Sequence, residues 1–370
     1  VFVFLIPYTA SLYNGLSRLF GMAFHLDYTV CIVVMAVLTG IYVIAGGYMA
    51  TAINDFIQGC IMIIGIIAVI ASVLKSNGGF MQAIDALARV EDAQATSTPG
   101  AFASFFGPDP FGLLCVVILT SLGTWGLPQM VQKFYAIKDE KSIGKGTLIS
   151  TIFAIIVAGG CYFLGGFGRL YDIDIAAQGY DAIIPAMIEK LSPLLIAVVV
   201  ILVLSASMST LSSLVLASSS TLTLDMIRGT IVKEMTEKKQ VFIMRIFIVV
   251  FIAISAVIAV VQYKSGVTFI AQLMGISWGA LAGAFLAPFI YSLYWKGVTK
   301  AAVLVNFLFG SGIMVANMLA RASFPTILQS PINCGAFAML AGLLIVPVVS
   351  LITPKLSDEK KQAVFSCYEK

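Results

Sequence analysis

Runs of about twenty residues almost free of charge recur from one end of this chain to the other, and that pattern decides its surroundings. A hydrocarbon layer about 30 Å thick takes roughly 20 apolar residues per helical crossing. Three such runs, VFVFLIPYTASLYNGLSRLF, TVCIVVMAVLTGIYVIA and FIQGCIMIIGIIAVIASVL, follow one another before residue 75. Charged residues make up only 11% of the 370, where soluble domains carry roughly 25%. With 60% hydrophobic residues and a mean hydropathy of +1.01, the chain reads as an all-α polytopic membrane protein. The ten-residue alternation of a membrane β-barrel is not its pattern.

Windows of about 19 residues place ten spans near 2–22, 29–47, 51–75, 112–134, 144–168, 194–226, 241–262, 268–295, 300–319 and 333–352. Residues 1–354 then form one transmembrane domain, with 355–370 as a charged tail. Loops alternate sides under this arrangement. One side collects fifteen Lys and Arg residues and the other six, with Arg18 inside the first span. By the positive-inside rule the C-terminus is cytoplasmic and the protein sits in the cell membrane. The net charge of +4 is thereby a topology signal and gives no reason to invoke nucleic acid. Two long outer connections, 76–111 and 170–193, carry short amphipathic stretches expected to lie over the outer face.

Several chemistries lack the residues to run them. His25 is the sole histidine, and the six cysteines are scattered singly, so they read as small core hydrophobes. Nothing resembles a phosphate-cradling glycine loop, and no enzyme activity is expected. The chain starts at Val1 inside an apolar run, without the charged start or cleavage site of a signal peptide. It therefore reads as beginning partway through a longer protein.

Against this background, SASMSTLSSLVLASSSTLTLD is costly: eleven of its first nineteen residues are Ser or Thr, in a span of about 33 residues. At 1.5 Å per residue that span is roughly 50 Å long and overshoots the bilayer. Its middle falls at Ser209 and Thr210, with the Ala206 carbonyl one turn before Thr210. Three oxygens there suit a small hard cation such as sodium; the alternative is that membrane hydroxyls bond back to carbonyls or pack helix faces. That packing role is the expectation for Ser205, Ser207, Ser218, Ser219 and Ser220.

Asp55, in GGYMATAINDFIQGC, is an ionisable group at the start of the third span. It is either an interfacial cap or an attractor for a cation leaving toward the cytoplasm. The fourth span, with GTWGLPQMVQKF, is interrupted by Gly123, Gly126 and Pro128; the eighth, with QLMGISWGALAGAFLAP, carries Gly275, Gly279, Gly283 and Pro288. Paired broken helices point to a transporter's binding site. Thr124, Trp125, Gln129, Gln272 and Trp278 are then candidates to line a solute cavity, with ordinary packing as the alternative.

GGYMATAINDFIQ, GTWGLPQMVQKFYAIKDEKS, SASMSTLSSLVLASSSTLTLDM and SWGALAGAFLAPFIYSLYWKGVTKAA, in this order, resemble the sodium/solute symporter family. Its sodium/proline and sodium/pantothenate members match best. The resemblance implies a leucine-transporter-type fold of inverted repeats working by alternating access, with a sodium ion and a small organic solute as partners. It also implies Ser209, Thr210 and the Ala206 carbonyl as sodium ligands, and Asp55 on the cation's exit path. Family members carry about three further spans ahead of the position where Val1 stands, and those complete both sites. The fourth span departs from the proline symporters, which have Gly-Tyr-Phe-Gly-Gln-Pro where this chain has Gly123-Thr124-Trp125-Gly126-Leu127-Pro128. Other readings are a transporter-like sensor module and an inactive fragment.

Overall fold

The computed structural model describes residues 1–370 apart from 93–94, 136, 233, 267–269 and 369–370, and, within helices, the side chains of all but 47–52, 54, 176–177 and 367. Among the described residues every regular element is helical. Such an outcome follows from the solvent: inside hydrocarbon each backbone N–H and C=O must be satisfied within its own segment. The chain begins with α1 (Phe2–Phe24), α2 (Tyr28–Ser76), the short α3 (Phe80–Ala88), and a broken run of α4 (Pro110–Ser121), α5 (Gly123–Gly126) and α6 (Pro128–Phe134). Next come α7 (Glu140–Gly166), the one-turn α8 (Ile175–Gln178), α9 (Ile183–Glu189) and α10 (Pro193–Ser220), which continues as a π-helix over Thr221–Ile231. The remainder is α11 (Glu237–Ser265), α12 (Ile270–Tyr294), α13 (Lys300–Leu319), one-turn α14 (Thr326–Gln329), α15 (Pro331–Ile352) and α16 (Asp358–Phe365).

By length and hydropathy, eight helical segments among the described residues can cross a membrane, and the bent α4–α6 run makes nine. Of the ten spans expected, the one outside that set is α1. It is 23 residues long, about 35 Å, but Thr9, Ser11, Asn14 and Ser17 lower its hydropathy. All four are buried, because α1 packs against α2, α10, α11 and α12 and meets protein where other spans meet lipid. Asn14 donates to Gln262 of α11 and accepts from Tyr28 of α2, so its amide is satisfied across three helices. At the opposite extreme, α7 buries none of its residues and stands at the edge of the bundle.

The fourth span breaks where its glycines and proline suggest. Leu127 is extended (φ −84°, ψ 118°), and the axis turns by 48° across it. Pro128 fits there as the first residue of α6, where a missing N–H costs nothing. The eighth span overturns its expectation: α12 runs unbroken from Ile270 to Tyr294, with Pro288 inside it. Its glycines serve contact. A Cβ on Gly279 would stand 2.7 Å from the Gly335 Cα, and one on Gly310 would stand 2.4 Å from the Gly283 carbonyl carbon. Close backbone approach of this kind is how small residues drive packing between membrane helices. Accordingly 78% of the apolar window of α12 is buried, making it the centre of the bundle.

The expected break between the second and third spans falls at residues whose side chains lie outside the described set, within backbone that is helical throughout Tyr28–Ser76. Both halves of α2 converge on α10: the Thr39 hydroxyl is 3.9 Å from Met208 Sδ, and Gly65 lies against Leu202. Cys31, Cys115 and Cys334 are core residues as expected, whereas Cys60 and Cys161 are exposed on spans.

Of the outer connections, 76–111 contributes α3, with Ala83 and Leu87 buried. Segment 170–193 is fastened more firmly. Asp181 pairs with Arg18 of α1 at 3.7 Å and accepts from the Ile270 N–H at the start of α12 at 3.2 Å. Burial pushes the Asp181 carboxyl above its ordinary pKa, with the Ile270 N–H and Arg18 acting against that rise.

Gly310→Ala is expected to destabilise the bundle by about 1–3 kcal/mol through overpacking. Gly312→Ala, which meets open space on the same helix, should be neutral or gain up to about 1 kcal/mol of helix propensity. Thermal unfolding of the detergent-solubilised protein measures both.

Candidate functional site

Helix α10 turns its hydroxyls inward because its neighbours α1, α2 and α11 give it protein on several sides. Thr210 Oγ1 donates to the Ala206 carbonyl at 3.0 Å, which sets two of the three candidate cation ligands in contact. Ser209 lies one residue before, half-buried, and its side chain is close to the Asp55 carboxylate at the head of the Asp55–Ser76 span. Asp55 Oδ1 is buried without a hydrogen-bond partner. Four oxygen-bearing groups from two helices thus gather at the middle of α10: Ala206, Ser209, Thr210 and Asp55.

Most other hydroxyls of the stretch bond back along their own helix, as small polar residues in membrane helices do. Ser212 and Ser213 donate to the Ser209 carbonyl, Ser219 to Val215, and Ser220 to Ala217. Ser205 and Ser207 are buried in packing contacts, and Ser218 Oγ is buried without a partner. Beyond Ser220 the wider π turn takes over, closed by Val232 N–H donating to the Ile227 carbonyl at 2.8 Å.

A cavity of about 400 Å³ opens directly beside this cluster. Asp55, Gln129, Lys133, Ser213 and Ser220 supply its polar lining, while Leu216 and Met244 supply part of its apolar wall. The 48° bend aims α6 at α10, which is how Gln129 and Lys133 come to share a wall with Asp55. Gln129 is 3% exposed, and neither of its amide atoms has a partner. A buried amide in that condition loses about 1–3 kcal/mol of hydrogen bonding, which a polar guest can restore.

The other cavity candidates stand elsewhere. Thr124 donates to the Ser121 carbonyl at 2.9 Å, and Trp125 is 59% exposed on the outside of the bent run. Trp278 is buried edge-on against Tyr8 of α1, ring centroids 5.7 Å apart, with its indole N–H unpartnered. Gln272 is half-buried in the first turn of α12. None of these four lines the Asp55 cavity. Asn54, Asp55's neighbour, falls outside the described side chains. Gln132, Lys133 and Ser213 also line the cavity without having been expected there, as does Ser220, expected to pack; the spacing of Ser213 one turn after Ser209 is the signal for it in the chain.

The sodium:solute symporter family matches residues 1–310. Sodium/proline symporter 2 of Staphylococcus saprophyticus is 29% identical over 322 residues, covering 85% of this chain and 60% of the relative. The osmoregulated proline transporter OpuE of Bacillus subtilis is 26% identical over 358 residues, covering 96% and 70%. The chain thus spans about 60% of the first relative's length and about 70% of the second's. Among solved structures, the substrate-bound outward-open state of a Na+-coupled sialic acid symporter superposes with a TM-score of 0.67 at 17% identity, over 96% of this chain and 73% of that one. The likeness establishes the shared all-α, leucine-transporter-type fold.

In a background with Cys60 and Cys161 replaced by Ser, Ser213→Cys and Ser220→Cys are expected to react with a membrane-impermeant thiol reagent. The nearby Leu214→Cys, at a position 1% exposed, should react at least about tenfold more slowly. Equal rates at the three positions would remove the cavity.

Proposed function

Because this chain belongs to the sodium:solute symporter family, a family of transporters, we propose that it serves in secondary transport, moving a small polar organic solute inward with sodium. The carrying observation is the meeting of Ala206, Ser209, Thr210 and Asp55 beside a cavity of about 400 Å³. In this reading the Ala206 carbonyl and the two hydroxyls ligate sodium. A cation bound there takes the lone pairs of both Ala206 O and Thr210 Oγ1, and the threonine proton rotates away. Asp55 then offers the ion a charged partner on its way into the cavity, and Lys133 beside it favours the ion's onward departure by repulsion.

Neutral oxygens suit this task, because a site that binds and releases on every cycle needs a cation held without several fixed carboxylates. The driving force is adequate. One sodium entering down 100 mV and a tenfold gradient supplies about 2.3 plus about 1.4 kcal/mol, enough for several hundredfold accumulation. The membrane is the cell membrane, with the lysine-rich loops and C-terminus on the cytoplasmic side.

The solute is proposed to be amino-acid-like, proline being the first to test because the relatives named above carry it in their names. Pantothenate and short carboxylates belong on the same panel, since Thr124 and Trp125 differ from the proline symporter pattern. Gln129, buried with its whole amide unpartnered, is the side chain that would meet the solute's polar end.

In reconstituted vesicles of the full protein, Ser209→Ala with Thr210→Ala is expected to raise the sodium concentration for half-maximal uptake at least about tenfold, one or two lost oxygen ligands at about 1.4 kcal/mol or more. An unchanged sodium dependence would refute the ligand assignment. Asp55→Asn should slow uptake while sodium still binds, which separate uptake and sodium-binding measurements resolve.

A further inference from the structure

Away from the cation and solute region, a cleft of about 280 Å³ lies where α12 ends, α13 begins and α16 folds back after α15. Its floor is apolar, formed in part by Trp295, Val298 and Phe365. Four lysines contribute to the same cleft, Lys296, Lys300, Lys360 and Lys361, and gather positive charge around it. Charge there is one-sided, since segments 296–300 and 355–361 hold five lysines against Asp358 and Glu359. Asp358 engages Lys361 at 2.9 Å, and the Lys296 ammonium stands 5.5 Å from the Phe365 ring centroid.

The position matters as much as the charge. Tyr294 is 75% exposed and Ile352 79% exposed at the ends of their spans, so lipid-facing surface runs up to the cleft. Trp295 sits at that boundary, the depth at which indole rings meet headgroups. A soluble anion would use the lysines and leave the apolar floor wet. A phospholipid uses both, phosphate on the ammonium groups and upper acyl chain on the floor.

We propose that this cleft is a binding site for an anionic phospholipid, whose headgroup bridges the α12–α13 turn to α16. The test uses the full protein in neutral detergent, titrated with phosphatidylglycerol carrying brominated acyl chains. Quenching of Trp295 is read as the difference between the parent and Trp295→Phe. Brominated phosphatidylcholine controls for the chains alone, and inorganic phosphate for the anion alone.

Half-maximal quenching is expected at a mole fraction at least about fivefold lower for phosphatidylglycerol than for phosphatidylcholine. Lys296→Gln, Lys300→Gln, Lys360→Gln and Lys361→Gln together should abolish that preference, while the four Lys→Arg changes keep it. Equal quenching by the two lipids overturns the proposal, as does a preference that survives the four glutamines. Reversal by millimolar inorganic phosphate also overturns it, in favour of a soluble anion. Should the glutamine variant fail to fold, the two-lipid comparison on the parent protein decides alone.

Discussion

Backbone-to-backbone contact between α12 and its partners α13 and α15 is the constraint on which the bundle rests. Gly279 faces Gly335, and Gly283 faces Gly310, at distances where a methyl group has no room. Lipid gives helices no hydrophobic reason to associate, so dispersion contact and interhelical hydrogen bonds must do so. Asn306 of α13 adds to the contact by donating to the Gly283 and Ala284 carbonyls, at 3.0 and 2.9 Å. With α12 fixed in this way, α1 can lie against it, and Asn14 of α1 finds partners away from lipid.

The cluster around Ser209 follows a related economy. Most hydroxyls of the stretch stay satisfied by bonding along their own helix, and such a hydroxyl can turn outward to a cation without moving the backbone. Asp55 is a charge-bearing group with one oxygen left without a partner, placed where α2, α6 and α10 leave space. The cavity exists because α6 leaves the line of α4 and α5 by 48°. Straightening that bend would carry Gln129 and Lys133 away from Asp55.

Much of this was legible in the chain. The runs of twenty apolar residues dictated an all-helical membrane bundle, and Pro128 behind Gly123 and Gly126 announced the break in the fourth span. The glycines of α12 were misread because sequence alone does not say whether a missing side chain serves a kink or a neighbour; Gly335 and Gly310 settle it from other helices. The span at α1 was legible, but its central place among four helices was not, since Asn14 meets Tyr28 and Gln262 only in the folded bundle. Ser209 and Thr210 could be singled out by position, but Lys133 could not, since its approach to Asp55 depends on a bend and on contacts almost eighty residues apart.

The Asp181 carboxylate joins two helices that are otherwise independent in sequence. It holds Arg18 of α1 with one oxygen and the first N–H of α12 with both. Lifting segment 170–193 off the bundle would therefore strip a partner from both helices at once, uncovering the Arg18 guanidinium and the head of α12 together.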